Sequence, residues 1–249
     1  MEVVLKNIYF EYKDRLIFDN LNVKFNSNSI TGIIGHNNSG KSTLLNIISG
    51  KIRPSSGDIS NINSISFLPS DKYINFNKTP YQILNVNNKL FSIEDILKIV
   101  NLDENKINIK LKLLSDSEIK KVLIGYILIQ DKDLYLFDSP NNILDYKTKS
   151  LFIKFLRTLK VRYGKTIILT SNDIDFIHEV SDDVLLLVKD GIINDKYSIF
   201  TNEELMNKYN FDIPKIIDIS NIVYKNKNIK MGYRDDIKDL IKDIYRYAK

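Results

Sequence analysis

The sequence predicts an α/β domain: a largely parallel sheet with helices on its faces, preceded by an antiparallel β subdomain and interrupted by a short helical subdomain. Three observations lead there. Residues 1–31 alternate apolar and polar side chains with a period of two, as half-buried strands do. After residue 30, short unbroken apolar runs alternate with stretches of helical spacing, the order that lays strands parallel. The first of those runs opens into a glycine-rich turn, and a helix follows.

In order along the chain, Val3, Leu5, Ile8 and Phe10, then Leu16 and Phe18, then Leu21, Val23 and Phe25 predict three short strands separated by polar turns. Residues 30–34 read as a buried strand. Residues 42–49 place Leu44, Leu45 and Ile48 on one helix face, and Gly50 stands where a helix stop belongs. Pro54 and Gly57 mark a turn, and 65–68 a strand. From 71 to 114 the chain is polar, with helical periodicity at Ile93, Ile96, Leu97 and Val100. Residues 120–129 form an apolar helix, 134–137 a buried strand ending in Asp138, and 151–159 a helix. Two more strands follow at 166–170 and 184–188. The expected division is a domain over 1–210, with a helical insertion at about 71–125, and a C-terminal extension over 211–249. The extension ends in an amphipathic helix from residue 234, with Ile237, Leu240, Ile241 and Ile244 on one face, expected to pack on its own domain.

At 249 residues the chain can bury a full core, and no apolar run approaches the roughly 18–20 residues of a membrane span. The opening MEVVLKNIYF lacks the basic and apolar regions of a secretory signal, from which a cytoplasmic location is expected. Without cysteine, disulfides and thiol chemistry are excluded. Of the net charge of +5, residues 225–249 supply +4, from eight Lys/Arg against four Asp/Glu. A basic tail on a near-neutral body makes no groove for a nucleic acid, and no such partner is expected.

Gly35-His36-Asn37-Asn38-Ser39-Gly40-Lys41-Ser42 fits G-x-x-x-x-G-K-[ST], the phosphate-binding P-loop, or Walker A motif. Glycines let consecutive N–H groups turn inward around a phosphate, and the helix behind presents its positive end to the same anion. Lys41 is expected to reach the β- and γ-phosphates and the Ser42 hydroxyl to ligate Mg²⁺. Gly35, Asn37, Asn38, Ser39, Gly40 and Thr43 complete the nucleotide-binding set. Asp138, ending an apolar strand, supplies the Walker B carboxylate beside the metal. The implied cofactors are ATP and Mg²⁺. His36 takes a variable position and is expected to have no role of its own, and His178, on a predicted helix, reads as a surface residue.

Over roughly residues 1–210 these motifs and their surroundings resemble the ATP-binding-cassette (ABC) ATPase domain, a P-loop NTPase. LKNIYFEYKDRLIFDNLNVKF is similar to that family's opening strands, and GKSTLLNIISGKIRPSSGDI to its loop and helix. LLSDSEIKKVLIGYILIQDKDLYLFDSPNNILD follows its order of signature helix, Walker B strand and D-loop, and KTIILTSNDIDFIHEVSDDVLLLVKDGII its switch region. The resemblance implies that Tyr12 stacks on adenine and that Asp145 of the D-loop reaches across a dimer. It further implies a membrane-spanning transporter subunit, a second ABC-type ATPase chain in a homodimer or heterodimer, and a peripheral position on the inner face of the cell membrane.

At four places the sequence departs from that pattern. Ser70 replaces a glutamine that touches Mg²⁺ or water. Leu114-Ser115-Asp116-Ser117-Glu118 replaces LSGGQ, losing both glycines and setting Asp116 toward a phosphate of like charge. Ser139 replaces the catalytic glutamate and Asn172 the switch histidine. A serine hydroxyl orients a water but does not accept its proton. A lost general base typically costs about 10²–10⁴ in rate, or about 3–5 kcal/mol of barrier. The expectation is an ATP-binding transporter subunit with weak or no hydrolysis. The alternatives are an ordinary transport ATPase with unusual catalytic residues and a soluble regulatory ATP-binding protein.

Overall fold

The computed structural model describes residues 2–13, 15–60, 64–68, 75–87, 89–188 and 191–247. Ser70 and the predicted start of the insertion at 71–74 lie outside the described residues. Strands β1 (Val3–Tyr12) and β2 (Arg15–Phe25) pair antiparallel. After β3 (Ile30–Gly35) and helix α1 (Lys41–Ile48), β4 (Ser56–Ile59) joins the other edge of β1. Two expectations are corrected here. Residues 15–25 form one strand rather than two. Asn20 adopts φ 54, a left-handed residue that shifts the alternation by one, so that Phe18 and then Leu21, Val23 and Phe25 are all buried. Gly57 lies in a strand rather than a turn. Its φ of 98 suits glycine, and a Cβ there would meet the Asn7 carbonyl oxygen at 2.5 Å.

The second sheet has the order β5 (Ile65–Leu68), β6 (Leu134–Asp138), β7 (Thr166–Thr170), β3, β8 (Asp183–Val188), β9 (Gly191–Asn194). All neighbours run parallel except β9, which returns antiparallel to β8. The central strands are buried on both faces, and the pleat sorts their side chains between two cores. Leu134, Leu136, Ile168, Leu185 and Leu187 pack with α1 and the antiparallel sheet. Tyr135, Phe137, Ile167, Leu169, Val184 and Leu186 face the opposite core. Its helices are α3 (Ile93–Val100), α4 (Asp116–Ile129), α5 (Tyr146–Tyr163) and α6 (Ile174–Val180), with the short α2 (Pro80–Leu84) beside α4. The parallel order brings the C-terminal ends of β3, β6 and β7 together, and the loop, Asp138 and Thr170 emerge there.

Two helices begin earlier than their apolar spacing predicts, and in both a capping side chain is the reason. α4 starts at Asp116 rather than 120. The Ser115 hydroxyl accepts from the Glu118 N–H at 3.3 Å, and the Glu118 carboxylate accepts from the Ser115 N–H at 2.8 Å, a reciprocal capping box. α5 starts at Tyr146 rather than 151, because Asp145 accepts from the Thr148 N–H at 2.8 Å, and it ends at Gly164 with φ 61.

Beyond β9, α7 (Lys196–Thr201) and α8 (Glu203–Lys208) bury Ile199, Phe200 and Met206 in the larger core. α9 (Lys215–Lys227) and α10 (Ile237–Tyr247) pack on each other through Ile216, Ile217 and Leu240. The predicted stripe is only partly covered: Leu240 is buried and Ile244 half-buried, while Ile237 and Ile241 are each 44% exposed. The segment ahead of α10 is pinned to the domain. Lys196 Nζ donates to Asp235 Oδ1 at 2.6 Å, and the His178 ring lies between Phe200 (5.3 Å) and Tyr233 (5.4 Å). His178 is therefore a core residue, 2% exposed, and the expectation of a surface position is corrected. Burial, reinforced by Lys196, pushes its pKa down to about 4. No helix among the described residues is long and apolar enough to cross a membrane.

Candidate functional site

β3 delivers the chain into the loop, and α1 takes it up at Lys41. Between them Gly40 adopts φ 100, and a Cβ there would meet the Phe18 ring and Ile17 Cγ2 at 2.9 Å. The turn closes against the antiparallel sheet because that position has no side chain. Three consecutive loop residues are each held by a different segment. His36 Nε2, which must carry a proton to face a carbonyl, donates to the Tyr209 oxygen at 2.6 Å, and the His36 ring stacks on Phe211 (4.3 Å, 14°). Asn37 Oδ1 accepts from Asn172 Nδ2 at 3.0 Å. The carbonyl of Asn38, itself at φ 64, accepts from Arg15 Nη2 at 3.0 Å. His36, expected to be without a role, is thus a tertiary contact.

Lys41 is buried, and its ammonium donates to the Gly35 carbonyl at 2.6 Å and the His36 carbonyl at 2.8 Å. Burial lowers its pKa, and the Asp138 carboxylate opposes that shift. Asp138 is 5% exposed and stands opposite Thr170 in the β6–β7 register. The Thr170 hydroxyl donates to Asp138 Oδ1 at 2.7 Å and accepts from the Ser139 N–H at 3.0 Å, fixing the turn in which Ser139 adopts φ 52.

A cavity of about 610 Å³ opens over the loop, within the roughly 300–1,000 Å³ of small-molecule sites. Of the sequence-predicted residues, Tyr12, Asn37, Asn38, Gly40, Lys41, Ser42, Thr43, Asp138, Ser139 and Asn172 line it. Gly35 and Ser39 do not line it. Ser39 borders a separate groove beside Leu187, and its hydroxyl oxygen lies close behind Gly35. Tyr12, 45% exposed, meets Phe10 edge-on at 4.7 Å. Arg15 and Ile17 line the cavity without having been singled out from sequence. The hairpin register sets Arg15 opposite Tyr12, so a cation three residues past the predicted aromatic was the available signal.

Ser42 and Asp138 both line this cavity. A hard-oxygen pair with one carboxylate suits Mg²⁺, which keeps waters and takes phosphate oxygens rather than an all-protein cage. Among the described residues no group of three His, Asp or Glu forms such a cage. Away from the cavity, the Ser115 hydroxyl is engaged with the Glu118 carboxylate at 2.9 Å. Asp145 pairs with Lys121 of its own chain at 3.2 Å, and its carboxyl is held at about 2, first by the Thr148 N–H.

A family model described as ABC transporter matches residues 18–142, which take in the loop, the 114–118 segment and Asp138. The chain belongs to the ABC transporter family. This ABC protein is 28% identical to the energy-coupling factor transporter ATP-binding protein EcfA1 of Mycoplasma mobile, over 94% of this chain and 93% of that one. It is 29% identical to the zinc import ATP-binding protein ZnuC of Buchnera aphidicola, over 74% of this chain and 80% of that one. Its fold is similar to that of an ATP-binding cassette solved as a dimer in a post-hydrolysis state with ADP and Pi. That likeness has a TM-score of 0.68 at 24% identity and covers 78% of this chain and 97% of the other. The architecture is the P-loop NTPase fold of ABC ATPase domains, with its antiparallel sheet and helical part.

Proposed function

We propose that this ABC family member is the ATP-binding subunit of a transporter, that it holds Mg-ATP over residues 35–43, and that it hydrolyses ATP weakly or not at all. The observation that carries the reading is Ser139 in the cavity wall, one residue past Asp138, with Asn172 on the same cavity and bonded to Asn37. Neither side chain takes a proton from water at neutral pH. Binding is a separate matter. Lys41 supplies the positive charge for the phosphates, its ammonium exchanging the Gly35 and His36 carbonyls for phosphate oxygens. Ser42 and Asp138 would hold Mg²⁺, which when bound neutralises phosphate charge. Thr170 keeps the Asp138 carboxylate in place, and Tyr12, exposed in the cavity lining, is the aromatic available to adenine.

The same reading makes the chain a poor donor of signature contacts, because Ser115 is bonded to Glu118 and Asp116 stands in the first turn of α4. Its partners are a membrane-spanning subunit and a second ABC ATPase, either a copy of itself or another chain, at the cytoplasmic face of the membrane. The names of the relatives, transporter ATP-binding proteins, support this. Phosphate release from the purified chain tests it. The expected rate is barely above background, and turnover of about one per second, within the ordinary enzyme range, would refute the loss of hydrolysis. Titration with Mg-ATP is expected to show binding that Lys41→Ala weakens at least about tenfold, the loss of a charge-assisted bond to phosphate. Equal affinities would overturn the phosphate-loop assignment.

A further inference from the structure

His36 does not line the nucleotide cavity, yet its side chain touches the C-terminal part of the chain. Its ring is bound at Nε2 by Tyr209 and on a face by Phe211, which follow α8 and lead into α9. That segment is itself anchored: the Phe211 N–H donates to the Met206 carbonyl at 2.9 Å, and Met206 is fully buried in the larger core. The backbone of His36 faces the nucleotide machinery, since its carbonyl accepts both the Lys41 ammonium at 2.8 Å and the Ser39 N–H at 3.1 Å. One residue therefore joins residues 209–211, by its side chain, to the phosphate-binding lysine, by its carbonyl.

We propose that His36 is a positioning residue that couples the phosphate loop to residues 209–211, so that ATP binding and seating of that segment favour each other. The inference rests on the reading that the loop takes ATP. Lys41 must leave or share the His36 carbonyl when phosphate arrives, and the stacked ring keeps that peptide from following it. Loss of the ring contact lets the loop relax around the lysine and leaves a less organised site. By linkage, whatever the 209–211 contact contributes to ATP affinity, ATP returns to that contact.

The test measures Mg-ATP affinity by titration of the intact chain as wild type, His36→Ala, Phe211→Ala, both together, and Phe211→Tyr. Each single alanine variant is expected to weaken ATP about fivefold. The double variant is expected to be no weaker than His36→Ala, because that change already removes the stack that Phe211→Ala removes. Phe211→Tyr keeps a stacked ring and is expected to bind as wild type. Amide exchange supplies the reciprocal reading: ATP slows exchange across 209–211 in the wild type and not in His36→Ala. Unchanged affinity in both single variants, or losses that add in the double, overturns the coupling. Wild-type protein that binds no ATP would instead overturn the functional reading, and the Lys41→Ala control separates that case.

Discussion

Lowering the pH from 7.5 to 5 is expected to cost the fold about 2 kcal/mol through His178 alone. In the unfolded chain an imidazole titrates at about 6.5. In the folded chain it stays neutral down to about 4, chiefly because it is buried and secondly because Lys196 is near, with Asp235 and Asp175 pulling the other way. The folded value lies below the unfolded one, so between them the unfolded chain binds the extra proton. The stabilisation is complete above about 6.5 and is lost as the pH falls toward the folded value. The separation corresponds to about 3 kcal/mol in full, of which about 2 kcal/mol has gone by pH 5. His178 Nε2 is also buried without a hydrogen-bond partner among the described residues. His178→Leu removes the titration and keeps an apolar contact between Phe200 and Tyr233. Urea unfolding of both proteins at pH 7.5 and 5 measures the difference, and the wild type should lose about 2 kcal/mol more than the variant. Equal pH dependence in the two would mean that His178 is not held neutral by its surroundings.

Three further outcomes follow from the site. Gly40→Ala forces a side chain onto the Phe18 ring at a φ of 100, and should cost about 1–3 kcal/mol together with ATP affinity; an unchanged urea midpoint would contradict the turn geometry. Thr170→Val keeps the shape but strands the Ser139 N–H and releases Asp138 Oδ1, with an expected loss of about 2 kcal/mol read as a lower midpoint at constant slope. Arg15→Ala removes an exposed cation from the cavity rim, so stability should hold while ATP affinity falls about tenfold by titration; wild-type affinity would reduce Arg15 to a loop contact.

The fold class and the phosphate loop were legible because their signals are local. Alternation with a period of two, helical spacing and a glycine-bounded turn before Lys41 are properties of adjacent residues. Asp138 could be placed for the same reason, as the end of a buried apolar run. The misreadings at Asn20 and Gly57 came from left-handed backbone, which shifts strand parity or extends pairing without altering composition. The early starts of α4 and α5 came from caps, whose polar residues carry no apolar period. The tertiary structure alone decided which side chains meet around the loop. Thr170 reaches Asp138 across 32 residues, Arg15 reaches Asn38 across 23, and His36 reaches Tyr209 across 173. His178 becomes a core residue because a segment more than fifty residues later, around Tyr233 and Asp235, folds back over it. Parallel strands are joined only through long crossovers, so the residues that line their common end come from distant parts of the chain, and no local pattern records their meeting.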